Sequence, residues 1–291
     1  MLKKLSRVFI YLFYAVVLTA VLLVVRFPTD TLLAQAERKI EEKIPDYTCE
    51  IGTIHYIYPF SVAVEEIALI NRNNSSRLPV SSVLVTPDLK HLLTRFEIRL
   101  ELLGGHMNTG VVLHPDSNRV EFPSLAVSGV NLQNVDFIEQ NLSREIDGTL
   151  ELSGRYSADL GDLNSGEFSG NVRVRDFQME LKRPVLQSKE VVFTELASFA
   201  QLKNGLVEIV DGTAMGPFYD GDFSGSIQLK ELWRASVLDV SGSISPKQEY
   251  IEQDRQVARA VALLYRKYKS STLPYRLTGN LENPVFAFGA R

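Results

Sequence analysis

From Ile51 to the C-terminus, apolar and polar residues alternate with period two. The stretch Phe223-Ser224-Gly225-Ser226-Ile227-Gln228-Leu229-Lys230 alternates apolar or Gly with polar throughout, and Leu150–Tyr156, Val172–Arg175 and Leu238–Ile244 do the same. Because successive side chains of an extended chain point to opposite sides, this spacing gives each segment one dry and one wet face. Asn204-Gly205, between Leu202 and Leu206, marks a two-residue hairpin turn, since both residue types accept positive φ. Short amphipathic strands joined by tight turns predict a mainly β fold. The expected form is an elongated, twisted antiparallel β meander, with one or two packed amphipathic helices and an N-terminal transmembrane helix.

A local pattern recurs within these strands: apolar, Ser or Thr, Gly, any residue, then apolar or aromatic. It stands at Leu152–Tyr156, Phe168–Val172, Phe223–Ile227, Val240–Ile244 and Leu277–Leu281. The central glycines, Gly154, Gly170, Gly225, Gly242 and Gly279, have no fixed spacing, which argues against a solenoid of strict repeats. Each falls on the apolar side of its strand, between two larger residues. Glycine weakens a strand interior, so its repetition calls for a bulge, a sharp twist or a close approach to the backbone. Two structures satisfy that demand. One is a tightly curved sheet; the other is a groove in which missing side chains make room for an acyl chain or a partner strand.

The N-terminal part follows different rules. Val8 to Val25 is 18 residues without a charge. As a helix rising about 1.5 Å per residue it spans about 27 Å, close to the roughly 30 Å hydrocarbon core of a bilayer. Val8, Leu12, Val16, Leu18, Leu22 and Val25 mark this membrane anchor. A cleaved leader would need a small-residue site after the apolar run, and here the run ends in Val24-Val25-Arg26-Phe27-Pro28. Lys3, Lys4 and Arg7 precede it without an acidic residue, which places residues 1–7 in the cytoplasm and exports the rest. Residues 26–46 form a membrane-proximal amphipathic helix. Thr29 or Asp30 can cap it; Leu32, Leu33, Ala36, Ile40 and Ile44 share one face, and Pro45 ends it. Residues 47–291 form the periplasmic β-rich domain, interrupted by an amphipathic helix over about 247–270. That helix presents Tyr250, Ile251, Val257, Ala258, Val261, Leu264, Tyr265 and Tyr268 on one face.

Charge and motif content narrow the function. Removing Lys3, Lys4 and Arg7 from the 31 basic residues leaves 28 against 35 acidic ones, which disfavours nucleic acid as a partner. The lone Cys49 forms no intramolecular bridge, in keeping with a bacterial envelope protein rather than a disulfide-built secreted domain. His55, His91, His106 and His114 lack metal-ligand spacing, and neither a nucleophile elbow nor a phosphate-binding loop occurs. His114-Pro115-Asp116 reads as a turn. Asp211, Asp220 and Asp222, with Gly212 and Gly221, read as hairpin corners rather than a calcium loop. The residues therefore predict no enzyme, no catalytic or metal-binding residue and no cofactor.

Two blocks carry a resemblance. Leu202–Ile209, running on through Gly221–Leu229, and the ending Leu273-Pro274-Tyr275-Arg276-Leu277-Thr278-Gly279-Asn280-Leu281-Glu282-Asn283-Pro284 resemble the type II secretion system protein N family. More loosely, the ending resembles AsmA-like envelope proteins. The first resemblance implies a non-enzymatic accessory component of the secretion machinery, held in the inner membrane, with other secretion-system components as partners. The second implies handling of phospholipid between membranes through an apolar β groove.

Overall fold

In the computed structural model, residues 11, 14, 15, 18, 29–43, 47–72, 77–91, 94–134, 145–160, 162–185, 188–230, 233–253 and 255–289 are described. Of the anchor residues, Leu18 is among them, helical and exposed; Val8, Leu12, Val16, Leu22 and Val25 lie outside the described residues. Among the described residues no helix is long and apolar enough to cross a membrane.

The fold is mainly β. Fourteen strands form one antiparallel sheet in strict sequence order, β1 to β14. The first six are β1 (Tyr47–Ile57), β2 (Ser61–Asn71), β3 (Arg77–Pro87), β4 (Arg95–Leu102), β5 (Gly105–His114) and β6 (Arg119–Asn131). The middle of the sheet is β7 (Ile146–Asp159), β8 (Asp162–Val185), β9 (Ser188–Lys203) and β10 (Leu206–Met215). The last four are β11 (Tyr219–Gln228), β12 (Val237–Pro246), β13 (Leu273–Asn280) and β14 (Pro284–Phe288). At about 4.8 Å between neighbours, the ladder measures about 60 Å from first strand to last. Asn204 and Gly205 take φ of 51° and 72°, so the β9–β10 hairpin turns where the Asn-Gly signal stands. Register shifts interrupt several ladders, including β5–β6, β6–β7, β9–β10 and β10–β11. Each bulge bends its strand and strengthens the local twist.

Beside the sheet, the described residues include the α-helices α1 (Thr29–Lys43), α2 (Gln248–Gln253) and α3 (Arg255–Tyr268). The helix expected over 247–270 is thus two helices. The expected face of α3 is the one that packs, with Val257 and Val261 each 1% exposed.

The two edges of the sheet are treated differently. An edge strand offers a row of unpaired backbone groups that invites another chain. On β1, the N–H of Ile51 donates to Glu37 Oε1 (3.0 Å) and the N–H of Cys49 donates to Glu41 Oε1 (3.2 Å). Four helical residues rise about 6 Å and two strand residues about 6.6 Å, so carboxylates at i and i+4 meet alternate N–H groups. Helix α1 therefore covers this edge. Arg72 reinforces the seal by donating to Glu41 Oε2 (3.2 Å) and Thr48 Oγ1 (3.1 Å). Strand β14 meets a helix only at its end, among the described residues, where the Tyr268 hydroxyl donates to the Phe288 carbonyl (2.7 Å).

Beneath α1, Cys49 is 4% exposed. Burial, then the charges of Glu37, Glu41 and Glu50, raise its thiol pKa. A thiol reacts as the thiolate. Maleimide labelling of Cys49 is therefore expected to be slow at neutral pH in the folded protein and fast in urea. Labelling at the same rate in both conditions would show that α1 does not hold this edge.

Candidate functional site

Cross-strand register assembles the alternating residues into rows on one face of the sheet. One row runs Tyr156, Phe168, Leu202, Val207, Ile227 and Leu238, from β7 to β12. A parallel row runs Gly154, Gly170, Ala200, Ile209, Gly225 and Val240. A third begins Leu150, Val174 and Leu196, and continues through Ala214 and Gly221 to Ile244 and Leu273. Every residue of these rows belongs to the same face, because directly opposed residues in an antiparallel pair point the same way. The sequence alternation and the register together make one apolar surface.

A helix covers this surface at its C-terminal end, and at the other side Tyr156 and Phe122 pack against the buried cluster of Val111, Val120 and Ala158. Helix α3 packs on β13, and there Leu273 is fully buried, with Leu238 and Val240 at 6% and 7% exposure on β12. On β7 to β10 the buried residues are small: Gly148, Ala158, Gly166, Gly170, Ala200, Gly212 and Ala214. The large side chains between them, including Tyr156, Phe168, Val172, Leu196, Leu202 and Val207, are half-buried. Side chains packed between two layers would be lost from solvent. The middle of the apolar face is thus an open trough.

The five candidate glycines do not make that trough. Gly154 and Gly170 face each other across β7 and β8, and Gly225 lies further along the same row. Gly242 pairs with Phe223 in a neighbouring row, and Gly279 pairs with Leu238 in another. A Cβ built on Gly154 would lie 2.7 Å from the Cα of Gly170, and the reverse holds equally. At Gly225 the added atom would run into the Asp239 carbonyl oxygen and come within 2.6 Å of Val240 Cα; at Gly242 it would meet the Asp222 carbonyl oxygen. At Gly279 it would lie 2.7 Å from the Asn283 oxygen. Each glycine is crowded by backbone of a neighbouring strand or turn, so curvature of the sheet explains them and vacant space does not.

The opposite face is polar. A hollow of about 560 Å³ is lined there by Ser153, Asn171, Glu151, Arg173, Phe199 and Thr213 among others. Two of its charged residues, Glu151 and Arg173, are already paired. Arg173 pairs with Glu151 (3.9 Å) and Glu195 (3.6 Å), and Arg175 with Glu151 (3.4 Å). Further along the same side, Arg276 binds both carboxylate oxygens of Asp239 at 2.9 Å. That hydrogen bonding lowers the Asp239 pKa. Tyr275, on the apolar face, is pushed up to about 12 by burial and then by Asp222. Such cross-strand pairs hold neighbours in register.

The histidines are dispersed, each beside one carboxylate: His55 with Glu65, His91 with Asp88, His106 with Glu101 and His114 with Glu121. Among the described residues no group of three or more His, Cys, Asp and Glu side chains could hold a metal ion. Of the three aspartates read as hairpin corners, Asp220 braces a turn. Asp211, at φ 51°, forms the bulge of β10, while Asp220 and Asp222 lie inside β11. Asp220 accepts from the Gly216 N–H, and Asp222 accepts from the N–H and hydroxyl of Ser243. Asp220 thus braces the β10–β11 turn, while Asp222 bridges to the neighbouring strand β12. The caps Glu37 and Glu41 escape sequence reading, because charges on an amphipathic helix look like a solvated face; their i, i+4 spacing beside an edge strand is the one signal they give.

No protein-family model, curated protein or solved structure matches the chain.

Proposed function

We propose that this is a non-enzymatic, single-pass protein of the bacterial inner membrane, anchored by residues 8–25, whose periplasmic sheet holds phospholipid acyl chains along its apolar face. The half-buried rows on β7 to β11 carry this reading. From Tyr156 to Ile227 the half-buried row crosses four strand spacings, about 19 Å. One leaflet of a roughly 30 Å hydrocarbon core is about 15 Å deep, so an acyl chain fits along the row. Each methylene moved there from water contributes about 0.8 kcal/mol, which a single chain multiplies many times. The elongated, twisted form and the anchor belong to this proposal, as does the likeness to AsmA-like envelope proteins.

A second reading has its own support. Strand β14 closes the ending that resembles the type II secretion system protein N family, and as the last strand of the sheet, Pro284–Phe288, it presents an edge. An exposed edge accepts a partner strand, as an accessory component of the secretion machinery would need.

Co-purification after mild detergent extraction separates the two. The expected result is phospholipid retained by the full chain and lost from Val172→Asp, whose charge lies in mid-trough. Val172 is half-exposed, so its stability cost stays near about 1 kcal/mol. Secretion-platform proteins recovered with no lipid would replace the first reading by the second.

A further inference from the structure

The two hairpin tips beside the α1-covered edge are apolar. Ile57 is 44% exposed, Tyr58 85% and Phe60 51% at the β1–β2 turn, and Leu89 is 57% exposed at the β3–β4 loop. Single exposed apolar residues are ordinary, but four on two adjacent tips form a patch. The hydroxyl of Tyr56 donates to the Pro59 carbonyl, closing the first tip, and the Asp88 carboxylate accepts from Lys90 N–H (2.9 Å) and His91 Nδ1 (3.0 Å), closing the second. Ser61 Oγ and Thr86 Oγ1, 2.8 Å apart, join the two hairpins at this end. Farther along the same end of the sheet the tips Pro115-Asp116-Ser117-Asn118, Asn204-Gly205 and Glu282-Asn283 are polar, while the connection after β11 exposes a single leucine, Leu229 (39%).

Chain connectivity says what lies against the apolar tips. Because Glu41 binds Cys49 N–H and Glu37 binds Ile51 N–H, α1 runs antiparallel to β1, with its first residue toward the β1–β2 turn. Thr29 lies about 12 Å beyond Glu37 along the helix, and Ile57 about 20 Å beyond Ile51 along the strand. The turn therefore reaches as far as the start of α1 and somewhat past it. Only Arg26, Phe27 and Pro28 separate Val25 from Thr29, so the last anchor residue stays within about 14 Å of α1.

We infer that the tips Ile57–Phe60 and Leu89 rest in the interface of the bilayer that holds residues 8–25, standing the first four strands end-on against it. Tyrosine and phenylalanine suit that depth, and the exposed Lys90 beside Leu89 suits lipid phosphate. The inference rests on the anchor proposed above. It would set one end of the apolar face against lipid.

The test uses the full chain in vesicles of phosphatidylethanolamine and phosphatidylglycerol containing a phosphatidylcholine brominated on its acyl chains. Tyr58→Trp and Leu89→Trp are compared with Asp116→Trp, at an exposed polar tip of the same end; Trp233 gives all three the same background. Bromine quenching of Y58W and L89W is expected to exceed that of D116W by about twofold or more, as interfacial residues require. Equal quenching in a chain that resists carbonate washing overturns the tip contact and leaves the anchor standing. A chain that washes off the vesicles overturns the anchor, and the inference with it.

Discussion

Gly225→Leu is expected to destabilise the protein by about 3 kcal/mol or more, the sum of an overpacking cost of about 1–3 kcal/mol and a similar cost for strained backbone. Gly225 has φ 151°, a conformation that L side chains rarely adopt, and its missing Cβ would strike the Asp239 carbonyl and Val240 Cα. Since the collision starts at the first side-chain atom, Gly225→Ala should suffer much of the same loss. Gly110→Ala is the control: the nearest atom to its added Cβ is Ser124 Oγ at 3.7 Å, an ordinary contact. There the alanine should be neutral or gain up to about 1 kcal/mol through the unfolded chain. Urea midpoints measure all three. A Gly225→Ala midpoint equal to that of the unaltered protein would mean that β11 and β12 do not approach so closely.

The same geometry limits what these glycines can reveal. A leucine at Gly225 fails because of neighbouring backbone, whether the face beyond is filled or open. Its instability therefore says nothing about lipid; Val172 and the other half-buried side chains of the rows answer that question instead.

What could be read in the chain before its fold was the local order of the β domain. Alternation at 150–156, 172–175, 223–230 and 238–244 falls in β7, β8, β11 and β12, and Asn204-Gly205 turns as its φ preference requires. The helical face around Val257 and Val261 is the buried one. Period two tells which residues share a face but not whether a second layer covers it, so an open face and a sandwich have the same signature. The glycines likewise signal close approach without saying to what. Edge protection by Glu37 and Glu41 depends on a helix and a strand lying antiparallel, a relation that no local pattern encodes. Asp211 and Asp222 misled for a related reason: Asp-Gly pairs mark turns, but these two mark a bulge and a side-chain bridge to Ser243, while Asp220 does brace the β10–β11 turn through the Gly216 N–H.

Whether the trough is open can be decided by one pair of truncations. Leu273→Ala is expected to cost about 2–5 kcal/mol, the range for deleting a buried leucine whose surroundings relax only partly. Leu273 has no exposed surface at the start of β13, beneath a helix whose Val257 and Val261 are also buried. That helix is tied down at its far end, where the Tyr268 hydroxyl donates to the Phe288 carbonyl (2.7 Å), so it cannot collapse freely into the cavity. Leu152 belongs to the same apolar face but stands on β7, where it is half-buried. Its truncation removes contacts already shared with solvent and should cost about 1 kcal/mol. The two substitutions delete identical atoms, so propensity and unfolded-chain effects largely cancel in the comparison. Equal losses in urea unfolding would mean that a layer covers β7 as well, and the acyl-chain trough would have to be abandoned. A loss at Leu273 several times that at Leu152 leaves the middle of the sheet open to a ligand that water alone cannot satisfy.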